Sequence, residues 1–200
     1  MPATRLVLEM KAGLLLEFSQ FLQRGFAVTA HVGCTMERLL SRQWQCSPEY
    51  VAERITTIFL DSRPIDDVTR ATVREGSVIA LSGAMPGLVG ATMRRGGFYA
   101  ALREGITHHE TGADSSDRIG TVRVKLFNLL IPELGPEFLR RGIILTTSEL
   151  KEFITGREAS FWKGFCAASL NGSPIGAALL RSGDTFPQAG TVRLTVNFKG

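Results

Sequence analysis

The stretch FLRRGIILTTSEL, residues 138–150, sets the architecture of this 200-residue chain. Gly142 separates a basic segment from the branched run Ile143–Thr146, which is typical of a short strand. The letters TTSE then place Thr146 and Glu149 at the spacing of a helix capping box, in which each side chain satisfies an unpaired backbone N–H group. The stretch therefore predicts a strand that passes directly into an amphipathic helix.

The segments on either side extend this pattern. Residues 121–127 (TVRVKLF) and 191–198 (TVRLTVNF) alternate branched and polar residues, as strands with one buried face do. A third strand, residues 166–170, leads into Asn171-Gly172, a dipeptide typical of tight turns. Because residues 131–142 contain Pro132, Gly135 and Pro136, we expect that segment to form a loop.

The first half of the chain gives the same order of segments. FLQRG (21–25) corresponds to FLRRG, and a predicted strand (26–32) and helix (35–43) follow it. LDSRPI (60–65) then matches LNGSPI (170–175). Two matches in the same order predict a degenerate tandem duplication. The alternative is two unrelated α+β halves that share common turn residues.

Composition and charge narrow the class of protein. An apolar fraction of 44% is too high for a disordered chain. The net charge of +4 is mild, and without a long Lys/Arg run a nucleic-acid partner is not expected. Three cysteines without a Cys-x-x-Cys pair indicate neither a disulfide framework nor a zinc site. With no signal peptide or apolar run of membrane-spanning length, we expect a cytoplasmic protein without a membrane partner.

The order hairpin, helix, strand, turn, strand resembles the β-grasp (ubiquitin-like) fold. More narrowly, both halves are similar to the small sulfur-carrier proteins of molybdopterin and thiamine synthesis. The resemblance implies an α+β fold with two tandem β-grasp units. The first would span residues 1–91 and the second 121–200. A glycine- and arginine-rich segment, a short helix and a polar linker would occupy residues 92–120.

The resemblance also implies a candidate carrier terminus. Such carriers act through a C-terminal Gly-Gly tail, which an activating enzyme adenylates and converts to a thiocarboxylate. Here Gly200 matches the last glycine of such a tail, but Lys199 replaces the one before it. The internal pair Gly96-Gly97 matches the tail as well, and it would serve only if the chain were cut after Gly97.

The segment GAMPGLVGATMRRGG, residues 83–97, is the best candidate for a binding loop. Gly87, Gly90, Arg94 and Arg95 could form a backbone concavity that holds an anion or a partner. The segment lacks the motifs of a P-loop or a dinucleotide fold. The alternative is a glycine-rich exit from a strand into a short helix.

No motif of catalysis or metal binding stands out elsewhere. His108, His109 and Glu110 lie in a polar linker, so we expect solvated side chains rather than metal ligands. Asp66 and Asp67 are adjacent and would point to different faces, so a solvated turn is expected rather than a catalytic pair. We predict no catalytic residue, metal or cofactor.

These observations favour a non-enzymatic function. The chain is interpreted as a ubiquitin-like interaction module or a sulfur-carrier-related module with a protein partner. Exposed strand edges or the glycine-arginine loop would provide the contact surface. The alternative is a small-molecule or anion-binding enzyme with a site between the two halves.

Overall fold

A computed structural model describes residues 4–83, 85–107 and 118–200, apart from the side chain of Glu104. The described chain has a mixed α+β fold. Its strands are β1 (Thr4–Lys11), β2 (Phe26–Val32), β3 (Cys34–Thr35), β4 (Thr57–Leu60), β5 (Arg63–Pro64), β6 (Thr72–Val73), β7 (Val78–Ser82), β8 (Arg118–Phe127), β9 (Ile143–Thr146), β10 (Phe165–Leu170), β11 (Ser173–Pro174) and β12 (Thr191–Lys199).

Helices connect most of these strands. The α-helices are α1 (Ser19–Arg24), α2 (Met36–Arg38), α3 (Pro48–Glu53), α4 (Gly87–Met93), α5 (Leu130–Arg141), α6 (Thr147–Thr155), α7 (Ala159–Lys163) and α8 (Ala177–Ser182). Two 3-10 segments, Ala12–Phe18 and Phe98–Ile106, and a π-helical turn, Leu39–Gln43, complete the description.

The chain divides into two compact units. Unit 1 comprises Met1–Phe21 and Pro132–Gly200, and unit 2 comprises Leu22–Ile131. In unit 1 the strands follow the order β11-β10-β1-β12-β9, with β1 parallel to β12 and antiparallel to β10. In unit 2 they follow the order β2-β8-β7-β4-β5, with β7 parallel to β8, and β3 pairs separately with β6. Each unit therefore has a parallel pair of strands with antiparallel neighbours.

These units differ from the predicted bounds 1–91, 92–120 and 121–200. The strand β1, from the start of the chain, pairs with β10 and β12 of the second half. The strand β8, which opens the second half, pairs instead with β2 and β7 of the first. Each strand has one apolar face and so fits any sheet that buries that face.

We expected the FLQRG and FLRRG segments to lie in loops. Instead, they form the ends of the helices α1 and α5. Gly25 and Gly142 follow them with φ of +108° and +93°, conformations that favour glycine. The expectation of a loop at residues 131–142 was wrong because Pro132 lies in the first turn of α5, where no N–H group needs a helical partner. Pro136 does remove one helical hydrogen bond. The buried apolar face of α5 compensates for that loss; its residues are Leu130, Ile131, Phe138 and Leu139.

The LDSRPI and LNGSPI segments form matching tight turns. Asp61 and Ser62 both have positive φ, and so do Asn171 and Gly172. The N–H group of Asp61 donates to the carbonyl oxygen of Val78, and the Asp61 Oδ1 accepts from the N–H group of Val78 at 2.7 Å.

Asn171 makes the same pair of hydrogen bonds to Arg5. Its N–H group donates to the Arg5 carbonyl oxygen at 2.8 Å, and its Oδ1 accepts from the Arg5 N–H group at 2.9 Å. Arg5 belongs to β1, whereas Val78 begins β7. The strand β1 therefore holds in unit 1 the place that β7 holds in unit 2.

The predicted capping box is confirmed at the start of α6. The Thr146 Oγ1 accepts from the N–H group of Glu149, and the Glu149 carboxylate accepts from the N–H group of Thr146 at 2.8 Å. The helix ends at Gly156, as its sequence indicated. The chain therefore passes directly from β9 into α6.

The alternating strands bury one face in each unit. Leu6, Leu8 and Met10 of β1 are buried in unit 1, together with Val192, Leu194 and Val196 of β12. The corresponding residues of unit 2 are Val122, Val124 and Leu126 of β8, with Ile79 and Leu81 of β7.

An ion-pair cluster on α5 makes the stability of unit 1 depend on pH. Arg140 lies beside the Glu137 carboxylate, and its hydrogen bonds, with those of Arg141, lower the pKa of Glu137 from 4.5 to about 2. A lowered carboxyl pKa contributes stability above pH 4.5, and that contribution is lost as the pH falls through 4.5 towards 2. Because these side chains are well exposed, the contribution is modest.

We therefore expect Glu137→Gln to lower the melting temperature slightly at pH 6 and to leave it unchanged near pH 2. The control is Glu152→Gln on α6, where the carboxylate has no ion pair among the residues described. Thermal unfolding from pH 7 to pH 2 measures the difference. Equal pH profiles for wild type and Glu137→Gln would show that the cluster contributes nothing.

Candidate functional site

The glycine-arginine segment forms part of an arm, residues 87–106, that comprises α4 and the 3-10 segment Phe98–Ile106. The helix α4 begins after Pro86, and Gly87 has a φ of +79°. Gly90 is buried, and a Cβ atom at this position would overlap the carbonyl group of Met85. Gly87 and Gly90 thus allow the arm to turn back closely on the end of β7, which is a structural role.

Arg95 anchors the arm to the body of unit 2. Its N–H group donates to the Thr56 carbonyl oxygen at 2.8 Å, and its guanidinium donates to the Val51 carbonyl oxygen at 2.7 Å. Burial lowers the pKa of the Arg95 guanidinium, while the charge of Asp66 opposes that shift. These contacts use part of the donor capacity that we expected Arg95 to offer to an external anion.

The anion at this segment is a carboxylate of the chain itself. The Asp66 carboxylate accepts a hydrogen bond from the backbone N–H group of Gly96 at 3.1 Å. It also accepts two hydrogen bonds from the Arg103 guanidinium, at 2.6 and 3.0 Å. Asp66, which the sequence alone placed in a solvated turn, is therefore bound by Gly96 and Arg103.

Arg103 holds the parts of the arm together. Its side chain is only 2% exposed. Besides Asp66, its guanidinium donates to the carbonyl oxygen of Thr92 at 2.7 Å and to the Thr107 Oγ1 at 3.0 Å. The backbone kinks at Arg103, with a φ of −118° and a ψ of 16°. An arginine within the apolar run FYAALREGI was the sequence signal for this role, but nothing in the sequence identified Asp66 as its partner.

The outward side of the arm is apolar and exposed. Phe98 is 92% exposed and contacts Tyr99 edge-to-face, with ring centroids 5.1 Å apart. Such a concentration of exposed apolar side chains on one segment is unusual for a surface without a partner. The exposed apolar residues of the arm are Leu88, Val89, Phe98, Tyr99, Leu102 and Ile106.

A cavity of about 820 Å³ opens beside this apolar side. Its wall includes Thr56, Arg94, Arg95, Phe98 and Tyr99. Arg94 is exposed, and among the residues described its guanidinium has no hydrogen-bond or ion-pair partner. Arg94 is therefore the cation of the predicted binding set that remains available to an external carboxylate.

The candidate carrier termini lie next to helical segments or a strand. Gly96 and Gly97 stand between α4 and the 3-10 segment, and the Gly97 N–H group donates to the carbonyl oxygen of Arg94. Gly200 directly follows β12, and Lys199 forms an ion pair with Glu9 at 2.7 Å. The carrier role of Gly96, Gly97 and Gly200 stays a prediction.

Among the residues that the structure describes, the remaining candidates give no second site. Asp67 accepts hydrogen bonds from the hydroxyl and the N–H group of Thr69, and these bonds lower the pKa of Asp67. Its partner therefore differs from the partners of Asp66, which are Gly96 and Arg103. His108, His109 and Glu110 lie outside the described residues. Within the described ranges, no group of three His, Cys, Asp or Glu side chains is placed to hold a metal ion. No helix found in those ranges has both the length and the apolar character needed to cross a bilayer.

Comparison with known proteins adds no assignment. No protein-family model, no curated protein and no solved structure matches this chain.

Proposed function

We propose that this protein is a non-enzymatic interaction module that binds a protein partner through the arm. The observation that carries the proposal is the exposure of six apolar side chains on a segment that Arg103 and Asp66 fix to unit 2. Interfaces concentrate their binding energy in buried aromatic and arginine side chains. Phe98, Tyr99 and Arg94 supply those residue types on one surface.

The chemistry of the arm selects the partner. We expect the partner to have an apolar groove that covers Phe98 and Leu102. A carboxylate of the partner at the rim of that groove would pair with Arg94. Strand addition at the edges is less well supported. The sheet edges at β5 and β11 are two residues long and contain Pro64 and Pro174, features that discourage an added strand.

The order of elements in the fold supports the interpretation as two β-grasp (ubiquitin-like) units. In each unit a helix follows β2 or β9, and a tight turn follows β4 or β10, which is the β-grasp order of elements. We interpret the molecule as two such units that exchange β1 and β8. Descent from one duplicated ancestor would account for the matching turns and glycines.

Sulfur-carrier chemistry is a narrower form of this proposal. It requires that Gly200, or a Gly97 freed by cleavage, be joined to an activated group. Intact-mass spectrometry of the protein from its native host would then find an adenylate, a thiocarboxylate or a fragment ending at Gly97. If only unmodified full-length protein were found, the carrier role would be contradicted, whereas the proposal of an interaction module would stand.

The test compares partner capture by the full-length protein and by variants of the arm. We expect Phe98→Asp and Leu88→Asp each to weaken capture from host extract by about tenfold or more, since each places a charge in an apolar contact. Arg94→Glu should weaken capture most strongly at low salt, where charge pairing contributes most.

The matched control is Leu16→Asp, because Leu16 is as exposed as Leu88 but belongs to unit 1. It should leave capture unchanged. If Phe98→Asp and Leu88→Asp bind the same proteins as wild type and Leu16→Asp, the arm is not the interaction surface. Sedimentation of the protein alone would detect a second copy as the occupant, which would also contradict the proposal of a different partner.

A further inference from the structure

A separate apolar cavity of about 390 Å³ lies between the sheet of unit 2 and the beginning of the arm. Its inner wall is one face of three strands. The register pairs Phe59 with Ala80 and Ser82 with Phe127, so these four side chains share that face. The outer wall consists of Met85, Pro86, Val89 and Gly90.

The only polar side chains in this wall, among the residues described, are Ser82 and Asn128. The Ser82 Oγ accepts a hydrogen bond from the Asn128 Nδ2 at 3.2 Å. Ser82 is 4% exposed, and within the described chain its own hydroxyl proton has no acceptor. A buried hydroxyl donor without an acceptor is unfavourable, so this group is suited to a ligand that supplies an acceptor.

We infer that this cavity binds a small uncharged ligand with an apolar body and one acceptor oxygen, to which Ser82 donates. The volume lies near the lower end of the roughly 300–1,000 Å³ that is usual for small-molecule sites. No charged side chain is present in the described lining, which disfavours an ionised ligand. The site goes beyond partner binding because its described lining includes neither Phe98 nor Leu102.

The experiment uses acetophenone and α-methylstyrene as probes, which have nearly the same shape but differ in their carbonyl oxygen and methylene group. Methyl signals of Ala80, Met85 and Val89 in the full-length protein would be followed by NMR as each probe is added. We expect saturable shifts with both probes and at least threefold tighter binding of acetophenone. Only acetophenone has an oxygen that can accept a hydrogen bond from the Ser82 hydroxyl.

Two variants and one control test the geometry. Ala80→Leu should weaken both probes about tenfold by filling the floor of the cavity. Ser82→Ala should remove the preference for acetophenone while α-methylstyrene still binds. Ala27→Leu is the control, since the register places Ala27 opposite Arg123, on the same sheet face but outside the described lining.

The inference is overturned if neither probe gives saturable shifts, or if Ala80→Leu binds both as tightly as Ala27→Leu does. A preference that survives in Ser82→Ala would also overturn it, because the acceptor would then lie elsewhere. These outcomes are independent of partner capture, which depends on Phe98 and Leu88.

Discussion

Phe18→Ala is expected to destabilise unit 1 by about 3–5 kcal/mol, the range for removing a buried aromatic ring from a packed core. Phe18 is completely buried, and its ring centroid lies 5.3 Å from that of Phe153, 5.9 Å from that of Phe198 and 6.0 Å from that of Phe161. The alanine variant would lose these three contacts together and leave a cavity that the surrounding strands and helices could fill only in part.

The matched control for this prediction is Leu16→Ala in the same 3-10 segment. Leu16 is 68% exposed, so its truncation should change the free energy of unfolding by less than about 0.5 kcal/mol. Urea unfolding measures the total effect. Hydrogen exchange, read separately for residues 132–200 and 22–131, would locate the loss in unit 1. Similar unfolding midpoints for the two variants would contradict the proposed core.

Arg103→Ala is expected to release the arm from unit 2 without unfolding the sheet. Removing this side chain leaves the Asp66 carboxylate and two backbone carbonyl oxygens without their guanidinium donor. Removing one partner of a well-buried ion pair costs about 3–5 kcal/mol. Because the Asp66 side chain is 36% exposed and water can replace part of the contact, we expect about 2–3 kcal/mol.

The measurement is proteolysis and hydrogen exchange of residues 87–106. A cost of this size raises the open population of the arm by about 30- to 160-fold, and cleavage would rise in proportion. Arg94→Ala is the control, because Arg94 is exposed and makes no ion pair in the described chain; it should leave exchange unchanged.

A double-mutant cycle separates the ion pair from general damage. Asp66→Ala should also loosen the arm, and the double variant should cost much less than the sum of the two single changes. Additive effects, or an arm as protected in Arg103→Ala as in wild type, would show that the pair does not hold the arm.

Local features were predictable wherever neighbouring residues decide them. The capping box at Thr146 and Glu149 needs only the backbone that it caps, and Asn171-Gly172 adopts its turn because of its own φ preferences. The loop expected at residues 131–142 was wrong for a related reason. Pro132 and Pro136 predict a loop when only neighbouring residues are considered, whereas burial of Phe138 and Leu139 stabilises the helix.

The candidate site also combines features that the local sequence predicts with features that only tertiary contacts decide. The sequence identified the glycine-arginine segment and its unusual composition, but it could not show that Asp66 and Arg103 meet across 37 positions. It also gave no indication of the cavity at Ser82, because the wall comes from three strands and the arm. Such sites depend on which segments come together in space, and no local pattern encodes that.

The amino-acid sequence by itself determined the alternating strands, the caps, the glycine turns and the repeated segments, because these follow from preferences of residues close in the chain. Only the tertiary structure decided that β1 pairs with β10 and β12, and that β8 pairs with β2 and β7. A strand with one apolar face can complete any sheet that buries it. The choice between partner strands therefore depends on the packing of the whole chain.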